Sequence, residues 1–146
     1  MIVECSHCGT KNRVPEKKQH EGPLCGRCGR AMDLADWVVP VELGDHDLQS
    51  FVSASRRPVM VDFYSPSCGP CRSLAPVIDA MARRFYRRVV VAKLDTSKNQ
   101  ASALRYGIRG VPTLLFFSGG ALRDQLVGAP SQAALADRLE RLAEVG

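Results

Sequence analysis

Aromatic residues are scarce in this chain: they make up 6% of it, with a single tryptophan, Trp37. Residues 1 to 36 contain none, so that segment lacks the stacking surfaces on which single-stranded nucleic acid is held. No apolar stretch near the start has the length of a secretory h-region, and the longest apolar run, Val111 to Phe117, is far too short to span a membrane. A local excess of one charge is missing as well. Residues 1 to 36 carry six basic and five acidic side chains, a poor footprint for a phosphate backbone. The remaining positive charge includes Arg83, Arg84, Arg87 and Arg88, near the end of an expected helix, where cations complement the macrodipole. These absences predict a soluble, cytoplasmic protein, a monomer by default, with neither nucleic acid nor membrane as partner.

What is present has two textures. The composition, 45% hydrophobic and 24% charged, is that of a globular protein. A length of 146 residues suits one domain of about 100 residues plus a small appendage that needs a staple to fold. Residues 1–36 are rich in Cys, Gly, Lys and Arg without sustained periodicity. From Trp37 onward apolar runs alternate with amphipathic stretches, as strands and helices do around a central sheet. The expected domains are therefore 1–36 and 37–146.

In the second segment the pattern predicts a strand at about 37–42, a helix over 45–55 opened by Asp45, and a buried strand, Val59 to Tyr64, interrupted by one acid, Asp62. A helix over 69–86 with a kink at Pro76 follows, then a strand over 89–94 parallel to Val59–Tyr64, and a short helix ended by Gly107. Thr113–Phe117, the Gly119-Gly120 turn and Leu122–Val127 read as a hairpin, and a final helix opens at Pro130-Ser131. The fold class is α/β, a mixed central sheet flanked by helices.

Six cysteines fall into C-x-x-C pairs. Cys5, Cys8, Cys25 and Cys28 have the C-x2-C, 15–20 residues, C-x2-C spacing of a zinc ribbon or knuckle, each pair followed by a glycine, Gly9 or Gly29. Four thiolates fill a tetrahedral shell and leave no position for water, so a single zinc ion there is structural. It would bring the charge of residues 1–36 to about −1 and contribute on the order of 10 kcal/mol to folding. Two disulfides are the competing pairing, and release of zinc on oxidation is a possible added role. His7 and His20 are expected at the surface.

Cys68-Gly69-Pro70-Cys71 has a different setting, between a strand and a helix. Residues three apart on a helix share a face, so the two sulfurs can pair reversibly. The free amides and positive dipole at the helix start stabilise an anion, which marks Cys68 as nucleophile and Cys71, one turn inside, as the resolving thiol. Pro70 restrains the turn. Asp62 stands among apolar neighbours, where burial favours its protonated form and suits it to take the Cys71 proton, with Lys93 on the adjacent strand as charge partner. A structural ion pair is the alternative role for Asp62.

The segments VMVDFYSPSCGPCRSLAP, VAKLDTSKNQ, RYGIRGVPTLLFFSGG and VGAP resemble the thioredoxin family, and the whole chain resembles its zinc-containing thioredoxin 2 type. The resemblance implies a thioredoxin fold, with a cis bond between Val111 and Pro112. It also implies a peptide-binding surface formed by Gly110, Val111, Pro112, Gly128 and Ala129 beside Ser67, Gly69 and Pro70, and a buried Asp62–Lys93 pair. It implies reduction of oxidised protein substrates, NADPH-dependent thioredoxin reductase as electron donor, and no bound organic cofactor. One departure stands out. The family has tryptophan before the first active-site cysteine and this chain has Ser67; Tyr64 likewise replaces a common tryptophan. Loss of a large aromatic contact weakens substrate binding by about 10- to 100-fold and leaves the dithiol chemistry in place. A second hypothesis makes the protein a zinc-dependent, redox-regulated holdase. Trp37 is expected in the core or at the domain boundary.

Overall fold

In the computed structural model, which describes residues 1–145, the chain begins with an antiparallel ribbon, β1 (Ile2–Glu4) and β2 (Lys11–Arg13), followed by one 3-10 turn at Glu16–Lys18. Then come β3 (Val41–Leu43), α1 (Leu48–Ala54), β4 (Val59–Tyr64), α2 (Gly69–Arg84), β5 (Val90–Asp95), α3 (Gln100–Arg105), β6 (Thr113–Ser118), β7 (Ala121–Val127) and α4 (Gln132–Val145). The five later strands form one sheet in the order β3-β5-β4-β6-β7. Strands β3, β5 and β4 run parallel, while β6 and β7 are antiparallel additions, which makes the sheet mixed.

Helices cover both faces, so the inner strands read as apolar runs rather than alternating ones. Met60, Val91, Leu114 and Phe116 meet Leu74, Ile78 and Met81 of α2 and Leu135 and Leu139 of α4. On the other face Val59, Val61, Phe63, Ala92 and Leu94 meet Leu48 and Val52 of α1. Each large aliphatic side chain buried this way contributes about 1.5–3 kcal/mol. By alternation Asp62 shares the α2 face with Met60. At the hairpin, Gly119 and Gly120 both have positive φ, 60° and 80°, as a two-residue turn between twisted strands requires.

Four local expectations change. The strand expected at 37–42 is confined to Val41–Leu43, because the Trp37 and Val38 amides close a turn on the Leu34 carbonyl, both at 2.8 Å. Val38 takes the buried place there and Trp37 is 42% exposed, neither core nor sealed at a boundary. Helix α1 starts after Asp47, and Asp45 serves α3 instead, accepting from the Ser102 amide at 2.7 Å. Helix α2 runs through Pro76 but stops at Arg84, so that Tyr86 turns away toward the N-terminal segment.

That segment packs against the sheet domain. Val3, Val14, Met32, Leu34 and Val38 surround the buried Cys5 and Cys25 in a third core that Tyr86 completes. Polar contacts join the same surfaces. Gln19, fully buried, donates to the Val39 carbonyl and accepts from the Val39 amide at 3.1 and 2.9 Å. The Tyr86 hydroxyl donates to the Gln19 carbonyl, and Arg57 donates to the His20 carbonyl at 2.6 Å. Glu16 accepts from the Glu42 amide, Lys17 pairs with Asp47, and Arg87 pairs with Asp33 at 3.0 Å. His20 is thus no surface residue. Its ring stacks 5.4 Å from that of Tyr86, both ring nitrogens are buried without a partner, and burial, with Arg57 nearby, lowers its pKa to about 4.

Candidate redox and metal sites

The two early C-x-x-C turns are built alike. In the first, the Cys5 amide donates to the Thr10 carbonyl and the Gly9 amide to the Cys5 carbonyl; in the second, Cys25 donates to Arg30 and Gly29 to Cys25. Gly9 and Gly29 take φ of 76° and 74°, a conformation that reverses the chain after each pair and that side-chain-bearing residues rarely adopt. The four sulfurs are gathered within 4.8 Å of one another. Cys5 and Cys28 are 3.7 Å apart and Cys8 and Cys25 are 3.6 Å apart. A tetrahedron with zinc–sulfur bonds of about 2.3 Å has edges of roughly 3.8 Å, so the residues present fit one zinc ion. Hydrogen bonds led by the Cys28 amide and the Asn12 side chain lower the Cys25 thiol to about 6, which favours the thiolate a metal needs.

The third pair sits where β4 gives way to α2. Cys68 is the N-cap of that helix, with φ −85° and ψ 119°, and Pro70 lies in its first turn. At that position the amides have no helical partner, and the Cys71 amide donates to the Cys68 sulfur at 3.2 Å. The Cys68 sulfur is also 3.6 Å from the Val111 carbonyl oxygen. The Val111–Pro112 peptide is cis, and the Gly128 amide donates to the Pro112 carbonyl at 2.9 Å. Gly110 accepts from the Thr113 hydroxyl, and Ser67, Gly69, Gly110 and Ala129 are exposed. Segments distant in sequence thus meet around Cys68. Ser67 turns to Ser65, their hydroxyl oxygens 3.1 Å apart, rather than to the Cys68 sulfur.

Cys71 is buried, and that burial, with Cys68 as the next cause and Asp62 among the weaker ones, pushes its thiol up to about 11. Asp62 is also buried, its Oδ1 without a hydrogen-bond partner, and desolvation raises its carboxyl to about 7 against the opposing pull of Lys93. Lys93 is the register partner of Asp62 across β4 and β5, yet the ammonium makes no ion pair with it within 4.0 Å among the described residues. Instead Lys93 Nζ lies 5.6 Å from the centre of the Tyr64 ring. The pair is therefore coupled through space rather than in contact.

Glu42 went unnoticed in the sequence. It is the register partner of Lys93 from the other side, and it accepts from the Tyr64 hydroxyl at 2.6 Å. Its only signal was that of Asp62 in weaker form, an acid between apolar residues in a strand.

Comparison with known proteins matches residues 39–141 to the family model described as Thioredoxin and residues 4–30 to the one described as Thioredoxin 2, N-terminal. A thioredoxin of Synechocystis is 43% identical over 100 residues, covering 68% of this chain and 94% of that protein. Thioredoxin C-3 of Corynebacterium nephridii is 37% identical over 118 residues, with coverage of 81% and 79%. The chloroplastic M-type thioredoxin of Pisum sativum is 39% identical, and the chain spans 58% of its length. Among solved structures, a mutant thioredoxin of Halobacterium salinarum superposes with a TM-score of 0.66 at 38% identity, covering 72% of this chain and 91% of that one.

Proposed function

The chain belongs to the thioredoxin family, and from that premise we propose that it reduces protein disulfides through Cys68 and Cys71. The observation that carries this reading is the 3.2 Å hydrogen bond from the Cys71 amide to the Cys68 sulfur at the start of α2. A donor aimed at sulfur stabilises the thiolate, the form that attacks disulfides.

The Cys68 thiolate attacks one sulfur of the substrate disulfide, forming a mixed disulfide and releasing the other sulfur as a thiolate that takes up a proton. Cys71, kept protonated by burial until then, gives its proton to Asp62, and the new thiolate attacks the Cys68 sulfur. That step closes a Cys68–Cys71 disulfide and releases the second substrate thiol, so two electrons pass to the substrate. Two electrons from NADPH, delivered by thioredoxin reductase, restore the dithiol. The substrate lies extended across Gly110, Val111 and Pro112, with Gly128 and Ala129 on one side and Ser67, Gly69 and Pro70 on the other. The exposure of Ser67, where the family carries tryptophan, narrows the apolar contact and shifts substrate choice.

Residues 1–36 form the metal module and residues 37–146 the catalytic domain. Cys5, Cys8, Cys25 and Cys28 would hold one structural zinc ion, which when bound cross-links the two turns and takes no part in electron transfer. The protein works as a monomer in the cytoplasm; among the described residues no helix is long and apolar enough to cross a membrane.

Trapping tests the order of attack. Cys71→Ser is expected to accumulate a mixed disulfide with oxidised insulin through Cys68, identifiable by peptide mass spectrometry, whereas Cys68→Ser accumulates none. Trapping through Cys71 in the Cys68→Ser variant would reverse the assignment.

A further inference from the structure

Three strands place three charges in one row. Glu42 on β3 is in register with Lys93 on β5, and Lys93 is in register with Asp62 on β4. In-register residues of adjacent strands point to the same face, here the one covered by α2. One cation is therefore flanked by two acids. Their surroundings differ: Asp62 is buried with Oδ1 unpartnered, whereas Glu42 accepts the Tyr64 hydroxyl at 2.6 Å. The Lys93 ammonium lies over that same tyrosine ring. The Glu42 backbone is fixed in turn, its amide donating to Glu16 at 2.7 Å.

We propose that Glu42 is a positioning residue for the Asp62–Cys71 step: by holding Tyr64 and competing for Lys93, it sets how much positive charge reaches the Asp62 carboxylate. The proposal rests on the reading of Asp62 as the base for Cys71. Placed two strands from Asp62, Glu42 acts through Lys93 and its own charge and touches no reacting atom. The other charged groups on this face are few. Glu16, Asp79 and Arg83 line a cavity of about 350 Å³ together with Glu42 and Lys93. Cys71 of α2 feels the Asp62 charge only weakly, and Asp95, the register partner of Tyr64, is held by Ser97. The direction of the effect follows from charge. Glu42 disfavours ionisation of Asp62 by repulsion, and so keeps the base protonatable near neutral pH.

The test uses the reduced, zinc-loaded full chain. Carboxyl carbon NMR follows the Asp62 titration, assigned with Asp62→Asn, in the parent protein, Glu42→Gln and Tyr64→Phe; in parallel, the resolution rate of a Cys68 mixed disulfide is measured against pH. Glu42→Gln keeps an acceptor for Tyr64 and removes one charge, so both midpoints should fall by roughly half to one pH unit. Tyr64→Phe frees Glu42 to engage Lys93, and both midpoints should rise. An Asp62 midpoint that stays put or rises in Glu42→Gln overturns the proposal. A carboxyl shift without a matching shift in the resolution profile instead overturns Asp62 as base, and with it any part of Glu42 in the chemistry.

Discussion

The same C-x-x-C spacing appears three times and is folded in two ways. After Cys5–Cys8 and Cys25–Cys28 the chain reverses at a glycine of positive φ, and four sulfurs are gathered with Cys8 and Cys28 at the surface. After Cys68 the chain continues into sixteen residues of helix, and the second cysteine of the pair, Cys71, is buried. Spacing sets only that two sulfurs can approach. The backbone that follows decides whether they join a four-sulfur cluster or stand at the start of a helix.

Exchanging the damage between regions gives the largest expected effects. If Cys68 is the nucleophile as proposed, Cys68→Ser should lose about a thousandfold or more in insulin reduction, because no covalent intermediate can form, while zinc content stays unchanged. Cys25→Ser should lose the metal and the hydrogen-exchange protection of residues 1–36, yet retain turnover within a few-fold, because Met60, Leu114 and Phe116 build a core without that module. Equal loss of turnover in both variants, measured with metal content in the same preparations, would erase the distinction between the two kinds of pair.

A second contrast sets buried acid against buried thiolate sites. The Asp62 carboxyl is raised to about 7 in the folded protein, well above its unfolded value near 3.8. Between those values the native state holds a proton that the unfolded state has lost, so stability is greatest at low pH and falls as pH rises through the window. Above about 7 the full cost is present. Asp62→Asn, which never ionises, should therefore gain about 2–4 kcal/mol over the parent at pH 8 and little at pH 4, by urea unfolding. A gain of the same size at both pH values would mean that folding leaves the Asp62 carboxyl unshifted and that the gain has a source other than its charge.

Much of the sheet domain was legible because its signals are strong and local. The VMVDFY run, the Gly119-Gly120 turn and the stripe of Leu135, Leu139 and Leu142 each name one element, and Asp62 stood out as the single charge in a buried strand. The four-cysteine cluster was legible from spacing. The contact between the regions was not. It is made by Gln19, Arg57, Tyr86 and His20, polar or half-polar residues up to 67 positions apart that follow no period. Asp45 misled for a related reason: an acid near a helix start satisfies whichever free amide is closest in space, and that was Ser102 of α3. Glu42 acquires its neighbours only when β3 adds to the far side of β5.

The smallest predicted effect probes that contact. Gln19 occupies a position at which a strand neighbour would sit, giving one hydrogen bond to and taking one from the Val39 backbone, with no solvent exposure. Replacing it by alanine removes both hydrogen bonds to the Val39 backbone, a loss of about 1–3 kcal/mol. That loss should fall on the docking of the N-terminal module and not on the sheet domain, because Val39 precedes β3 and belongs to no strand of the sheet. Hydrogen exchange is expected to quicken at residues 1–40 and to stay unchanged in β4, β5 and β6. Uniform quickening across both regions would mean that the two unfold as one unit, and that the backbone settings distinguishing their cysteines depend on a single cooperative structure.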